Sequence, residues 1–235
     1  MSDVEMSFLE HLDEFRRRLI SSFLVLVVAT MACYIFFQPI LDFVKTPLPG
    51  ELRDLQFTVF GFMQVFMVRF KLAIIGGFIV TSPYIIYQVL AFFAPAFHEK
   101  ERKYVFTVLP VMVALFFTGV AFAFYVVLPA AIAWLYGQGQ GQLEFLMKAD
   151  DYIGFVSLFL ISFGVVFETP LVIVLLIKLG IVDRRKLREN WRIAYVASFV
   201  IAAMATPDWS IVSMSILGVV LVLLFELSML FTRWL

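Results

Sequence analysis

One carboxylate lies inside an apolar stretch and is the first candidate for chemistry. In FGVVFETPLV at 163–172, Glu168 is the only charged residue among the 26 that separate Asp151 from Lys178. A charge at that depth costs roughly 2.5–3.5 kcal/mol on insertion scales. Such a group can relay protons, bind a cation or contact a polar residue of another helix. The alternative is a packing role, in which a protonated Glu168 is hydrogen-bonded to a neighbouring helix.

Two further carboxylates lie next to the ends of apolar stretches. HLDEFRRRLI at 11–20 carries Glu14 four residues after Glu10, and like charges at this helical spacing repel weakly. FHEKERK at 97–103 places Glu101 among basic residues. Carboxylates match the planar arginine guanidinium bidentately, which lysine does not. Glu14 and Glu101 are therefore candidates for binding guanidinium groups. The alternative is a solvated helix start with i,i+4 Glu–Arg pairs.

The motifs of several enzyme classes are missing from the sequence. The two histidines, His11 and His98, lie outside the apolar stretches and do not form the H-E-x-x-H spacing of a zinc protease. The sequence has no G-x-S-x-G elbow, P-loop or G-x-G-x-x-G. A single cysteine, Cys33, cannot form an intramolecular disulfide. We therefore expect that the chain is not an enzyme and that it has no catalytic residue, metal site or cofactor.

The composition is that of a membrane protein. Hydrophobic residues make up 63% of the chain and charged residues 15%, with a mean hydropathy of +0.98. Soluble domains have about a quarter of their residues charged. The net charge is zero, which does not favour nucleic acid as a partner. The acidic and polar N-terminal stretch predicts no cleavable signal peptide.

Charges separate six apolar stretches: 19–41, 72–97, 104–143 with its helical part ending near Tyr136, 152–177, 193–207 and 209–225. A span needs about 20 residues, so the first four qualify. The last two correspond to helices of roughly 22 and 25 Å. We expect Pro207 to end the fifth helix and Asp208 to cap the sixth. The class is therefore all-α and polytopic, with six spans of which the last two are short. Four spans plus a re-entrant hairpin are the alternative.

The basic residues predict the orientation of these spans. With the N-terminus inside, inner segments hold 13 of the 18 lysines and arginines and outer segments hold 5. This bias predicts that both termini are cytoplasmic. We expect one domain over 1–235, whose parts outside the bilayer are a cytoplasmic N-terminal segment, an outer interfacial loop and two cytoplasmic loops: 1–18, 42–70, 93–103 and 178–192.

A series of motifs, in order along the chain, resembles the TatC family, the polytopic subunit of the twin-arginine protein translocase. The motifs are HLDEFRRRL at 11–19, TPL at 46–48, SPYIIYQVLAFFAPAF at 82–97, EKERK at 99–103, FGVVFETP at 163–170 and ATPD at 205–208. Members of this family are similar in having six spans with both termini inside, the last two spans being short. The resemblance extends over nearly the whole chain.

The resemblance implies a receptor in the inner membrane that binds Arg-Arg signal peptides of folded proteins at its cytoplasmic face. It implies assembly with the single-span subunits TatA and TatB, an oligomer of TatB–TatC units, and export driven by the proton-motive force. The residues matching the signal-peptide site are Glu14, Arg16, Phe92, Glu101 and Arg102. Those matching positions implicated in partner contact or translocation are Pro47, Glu168 on a membrane-facing wall, and Asp208.

Two points stay open at this stage. An additional acid, Glu99, blurs which carboxylate meets which signal arginine. A small secondary transporter that uses Glu168 as a proton carrier is the alternative function. The two functions differ in a simple assay, because a transporter works alone in liposomes whereas a receptor binds signal peptide and transports nothing by itself.

Overall fold

The chain folds into helices connected by short segments. A computed structural model describes residues 8–53, 57–94, 99–139, 146–178, 180–206 and 210–232, with the backbone alone at 8, 9, 51, 53 and 99–106. Its helices are α1 (Phe8–Ile35), α2 (Phe37–Val44), α3 (Gly50–Arg53), α4 (Phe62–Phe93), α5 (Glu99–Phe122), α6 (Leu128–Gly139), α7 (Ala149–Val166), α8 (Thr169–Lys178), α9 (Arg184–Glu189), α10 (Trp191–Ala205) and α11 (Ile211–Phe231). The described residues form no named strand, only an isolated bridge between Thr58 and Lys148. The all-α prediction is confirmed.

Within the described residues, five helical stretches are long and apolar enough to cross a membrane: Glu10–Ile35, Phe62–Phe93, Thr107–Gly139, Ala149–Lys178 and Ile211–Phe231. The apolar α10 is shorter, with 15 residues, or about 22 Å. The predicted short sixth helix is wrong, because α11 has 21 residues and is about 31 Å long. It continues past Glu226, whose carboxylate accepts hydrogen bonds from Arg188 and Tyr195. Helix α11 is therefore long enough to span the bilayer by itself, which a re-entrant pair does not require.

The second span begins ten residues earlier than predicted. Arg69 and Lys71 lie inside α4 rather than before it. The guanidinium of Arg69 lies 4.9 Å from the ring centre of Tyr34, and Lys71 donates a hydrogen bond to Asp150. Because both cations have partners, the helix continues through them. The second half of the predicted outer loop at 42–70 thus extends a spanning helix instead of forming a separate interfacial one.

The residue that caps the start of α11 differs from the predicted one. Thr206 is extended, as expected for a residue that precedes proline. The predicted cap, Asp208, lies outside the described residues. Ser210 is the N-cap of α11, and its hydroxyl accepts a hydrogen bond from the Ser213 N–H at 3.1 Å. A serine directly before the first helical residue satisfies this N–H without help from a more distant acid.

Prolines interrupt the long helices, and the structure compensates for them locally. Pro83 in α4 has no N–H to donate to the carbonyl of Ile79. The buried Ser82 hydroxyl donates to that carbonyl instead, at 2.8 Å. Before Pro129, the stretch Ala123–Val127 forms a π-helical turn that joins α5 to α6. In lipid such compensation is necessary, because no water is present to satisfy a freed carbonyl.

Helix α7 forms the centre of the core. Its residues Ile153, Phe159 and Phe163 have at most 1% of their surface exposed. Helix α5 packs against α7 so closely at Gly119 that a Cβ there would lie 2.5 Å from the carbonyl oxygen of Phe163. The span then breaks: α7 ends at Val166 and α8 begins at Thr169. Glu168 lies in this break.

Helices α1 and α4 pack closely against each other. A Cβ on Gly77 would lie 2.9 Å from the backbone nitrogen of Thr30, so only glycine allows this approach. The start of α1 consequently lies beside the end of α4, where Arg18 donates a hydrogen bond to Gln88. This end of the helix pair lies on the side that the charge bias predicts to be cytoplasmic. At the opposite end, Tyr152 donates to the carbonyl of Val44 at 2.7 Å.

Replacing Ser82 by alanine tests the compensation for Pro83. We expect Ser82→Ala to lower the free energy of unfolding by about 1–3 kcal/mol, because the Ile79 carbonyl then has no donor. In a Pro83→Ala background the same change should cost far less, since the N–H of residue 83 supplies the bond. Thermal unfolding in detergent measures both. Equal losses in the two backgrounds would contradict this account.

Candidate functional site

A carboxylate at the cytoplasmic end of α1 is held by an arginine of the same helix. Glu14 Oε1 accepts two hydrogen bonds from Arg18, from Nε at 3.0 Å and from Nη2 at 2.6 Å. The two residues are one helical turn apart, so both side chains lie on the same face of α1. Their side chains are 12% and 22% exposed, which places the pair at the margin of the packed helices.

A chain of hydrogen bonds connects this pair to α4. The remaining guanidinium nitrogen of Arg18, Nη1, donates to Gln88 Oε1 at 2.9 Å. Gln88 Nε2 donates to the Tyr84 hydroxyl at 2.6 Å, which also lies 2.6 Å from the Ser21 hydroxyl. Polar side chains from α1 and α4 therefore satisfy each other across the interface that Gly77 allows. This network fixes the position of Arg18 and, through it, that of Glu14.

Aromatic rings form one side of the same site. Phe92, near the end of α4, stacks on the His11 ring with centroids 4.4 Å apart, and Phe15 meets it edge-on at 5.4 Å. Phe93 also contacts Phe92, at 5.3 Å. Rings at this position offer π faces to a cation that approaches the carboxylate.

The second oxygen of Glu14 is unpaired. Oε2 is buried and has no hydrogen-bond partner among the described residues. The closest cationic candidate is His11 Nδ1, at 4.0 Å, which is longer than a hydrogen bond. A buried carboxylate oxygen without a donor is costly and has a strong preference for a cationic donor. A cationic donor at Oε2 would therefore remove this cost.

The structure brings together only part of the predicted signal-peptide site. Glu14 and Phe92 lie on the same surface, while Arg16 is exposed and about 200° around α1 from Glu14. Glu101 and Arg102 belong to the beginning of α5, and their side chains lie outside the described residues.

Sequence reasoning missed the role of Arg18 and Gln88. The i,i+4 spacing of Glu14 and Arg18 pointed to their pair. The signal for Gln88 was a polar residue inside the apolar stretch 72–97, which in lipid requires a partner.

Glu168 is inside the protein rather than on its lipid-facing surface. Its exposed fraction is 9%, and neither carboxyl oxygen has a hydrogen-bond partner among the described residues. Only its backbone is satisfied, with the N–H donating to the Val165 carbonyl at 3.0 Å. It lies ten residues, or about 15 Å, from Lys178 at the cytoplasmic end of α8. The packing role considered from the sequence required burial and a hydrogen bond to a neighbouring helix. The burial of Glu168 is observed, but this hydrogen bond is not observed among the described residues.

An apolar groove lies beside this break. A cavity of about 390 Å³ is open between the α7–α8 stretch, α10 and α11. Val165, Thr169 and Ile173 line one side, and Ala197 and Ile201 line another. Two of the lining residues, Val165 and Ile201, are largely exposed, at 56% and 49%. This groove has the apolar character that a lipid-embedded helix would meet.

Of the remaining predicted residues, Pro47 is buried in the turn after α2 and lines a cavity of about 470 Å³ with Phe124 and Tyr125. Asp208 lies outside the described residues. In the part of the chain that the structure describes, no group of three or more His, Cys, Asp or Glu side chains could hold a metal ion.

The fold and the site define a class: a multi-pass helical membrane protein with an unpaired carboxylate oxygen at one end of its spans. Residues 10–219 match the model of the family described as Sec-independent protein translocase protein (TatC). The chain is 36% identical over 224 residues to the TatC protein of Synechocystis sp., covering 95% of this chain and 87% of that protein. It is 32% identical over 234 residues to that of Carboxydothermus hydrogenoformans, covering 100% and 96%. The chain belongs to the TatC family, as predicted.

Solved structures agree with this assignment. The chain superposes on a crystal structure of the twin-arginine translocase receptor TatC with a TM-score of 0.81 and 28% identity, covering 96% of this chain and 99% of that one. A second crystal structure of that receptor, in the detergent DDM, gives a TM-score of 0.82 at 29% identity. The chain is thus a multi-pass membrane protein of a protein translocase family.

Replacing Glu168 by leucine should make the isolated chain more stable. The change removes two unsatisfied oxygens and fills a similar volume, so the gain should be about 1–3 kcal/mol, or a few degrees in melting temperature. Glu168→Gln is the control, because an amide stays unpaired in the same place and should give no such gain. Thermal unfolding in detergent measures both. A lower melting temperature for the leucine variant would show that Glu168 has a stabilising partner.

Proposed function

We propose that this chain is the receptor of a twin-arginine translocase in the inner membrane. It binds Arg-Arg signal peptides of folded proteins at its cytoplasmic face and then recruits single-span partners for export driven by the proton-motive force. The observation that carries the proposal is the unpaired Oε2 of Glu14, next to the stacked rings of His11 and Phe92 where α1 begins and α4 ends. The name of the superposed crystal structure, a twin-arginine translocase receptor, supports it.

One signal arginine binds Glu14 in this proposal. A guanidinium that donates to Oε2 restores the missing hydrogen bond and can lie against the face of Phe92. The surrounding site is partly shielded from water, which strengthens the ion pair relative to an exposed one. Lysine carries the same charge but has no planar fork, so it makes a weaker contact at the same oxygen.

Glu101 receives the second signal arginine, with Arg102 beside it. Glu101 is the third residue of α5, and no more than about 19 Å of chain separates Ala94 at the end of α4 from Glu99 at the start of α5. This short connection keeps both helix ends close. Arg16, exposed on another face of α1, contacts the remainder of the signal peptide or the cargo.

The partner helices of TatA and TatB dock on the membrane-embedded part. The groove between the α7–α8 stretch, α10 and α11 offers an apolar surface, and the unpaired Glu168 lies in the adjacent break. A polar side chain on a partner helix that reached Glu168 would satisfy it, and such bonds stabilise helix association in lipid. Pro47 and Asp208 contribute at the outer side, and TatB–TatC units assemble into an oligomer.

Changing Glu14 tests the signal site. We expect Glu14→Gln to weaken binding of a twin-arginine signal peptide by about tenfold to a hundredfold, because a charge-assisted hydrogen bond is lost. Asp13→Asn removes the same charge from an exposed neighbouring residue and should leave binding unchanged. Fluorescence anisotropy with the detergent-solubilised chain measures this, and an Arg-Arg→Lys-Lys peptide is the ligand control.

Three outcomes would contradict the signal site: equal binding of the two peptides, no binding of either, or equal losses in Glu14→Gln and Asp13→Asn. The first would reduce the interaction to general electrostatics. The second would remove the receptor function itself. The third would place the arginine elsewhere on the cytoplasmic face.

A further inference from the structure

We propose that Arg18 is an internal competitor for the signal peptide, one that occupies Glu14 until a signal arginine displaces it. This inference rests on the signal-peptide binding proposed above and deepens it. In the resting chain, Glu14 already holds the chemical group that a twin-arginine signal presents. The receptor therefore binds its ligand by exchanging one guanidinium for another.

The geometry of the pair supports exchange. Arg18 places both Nε and Nη2 on the single oxygen Oε1, at 3.0 and 2.6 Å. Two arginines cannot both approach this carboxylate with full forks, because the second would bring like charges close together. Oε2 of Glu14 is unpaired but buried, so a signal arginine reaches it only as Arg18 moves away. Its fork is complete only when Oε1 is released by Arg18.

Arg18 has a second anchor to which it can withdraw. Its Nη1 donates to Gln88 Oε1 at 2.9 Å, and Gln88 in turn donates to the Tyr84 hydroxyl. These bonds remain when Arg18 releases Glu14, so the displaced guanidinium is not left without a partner. The contact that Arg18 gives up at Oε1 is replaced by the one that the incoming guanidinium makes there, so the exchange itself costs little.

This arrangement sets a threshold for binding. Every ligand that displaces Arg18 loses the same factor in affinity, so the preference for arginine over lysine still comes from the contact with Glu14 itself. The competition lowers both affinities together. Ligands that bind Glu14 weakly, such as a lysine pair or an isolated basic residue, then need concentrations for binding that are higher than those at which the receptor works.

The test replaces Arg18 in the chain and measures binding of the two signal peptides in detergent. We expect Arg18→Gln to tighten binding of the twin-arginine peptide by roughly threefold to tenfold, and of the twin-lysine peptide by a similar factor. Arg18→Lys should give an intermediate gain, because an ammonium competes through one contact instead of a fork.

Arg185 supplies a matched control. Its Nε lies 3.0 Å from Glu189 Oε1 in another i,i+4 pair on the cytoplasmic side, far from Glu14 in sequence and fully separate from its network. Arg185→Gln removes the same charge from the same end of the molecule. We expect it to leave both affinities unchanged, so that general electrostatics are distinguished from competition.

The outcomes separate this inference from the function on which it rests. If the unaltered chain does not bind the twin-arginine peptide, the proposed function fails. If it binds in a Glu14-dependent way but Arg18→Gln binds more weakly or unchanged, only the competition is overturned. If Arg18→Gln melts at a much lower temperature, the charged Arg18→Lys variant is used for the test instead. A gain in affinity for Arg18→Lys that is no larger than the change for Arg185→Gln then overturns the proposal.

Discussion

Every polar group in the apolar spans needs a partner from the protein, because lipid offers none, and most features of this structure follow from that constraint. Ser82 supplies the donor that Pro83 removes. Lys71 meets Asp150, and Tyr152 donates to the carbonyl of Val44. The last two bonds link segments that are far apart in sequence and thereby help to fix how the helices are arranged. Within the described residues, the carboxyl groups of Glu14 and Glu168 and the Nε atoms of Arg69 and Arg184 have buried polar atoms without a hydrogen-bond partner.

The two carboxyl groups lie where the proposed function requires a binding partner. Glu14 is at the cytoplasmic end of the α1–α4 pair, where a soluble peptide can reach it, whereas Glu168 is buried in a helix break next to an apolar groove. An unsatisfied buried carboxyl lowers stability, and functional sites often retain such costs. The first position suits a guanidinium that arrives from water. The second suits a polar group that arrives on another helix within the bilayer.

Much of the fold could be predicted because charge is rare in lipid. Long uncharged stretches marked the spans, and the distribution of arginine and lysine indicated which ends share a side. The boundaries failed at Arg69 and at Glu226. Each of these charges is accommodated by residues distant in sequence, Tyr34 and Phe37 for the first and Arg188 for the second. A sequence pattern shows that a charge interrupts an apolar stretch, but it does not show that a side chain distant in sequence contacts that charge and allows the helix to continue.

The candidate site was predictable to a similar extent. The spacing of Glu14 and Arg18 and the motifs at both helix ends pointed to a cytoplasmic site. The link from Arg18 to Gln88 joins residues 70 positions apart and depends on the close approach at Gly77. Whether Glu168 faces lipid or the interior depends on the rotation of its segment, and an evenly apolar span carries no signal for that rotation. Its burial could therefore be seen only in three dimensions.

The most direct test of the central claim is a double-mutant cycle between Glu14 and each arginine of the signal peptide. Binding is measured for four combinations, with Glu14→Gln on the receptor and Arg→Gln on the peptide. We predict a coupling free energy of at least about 1.4 kcal/mol, a factor of ten, for one of the two arginines. Additive losses for both arginines would contradict a direct contact and place the recognition of the signal elsewhere.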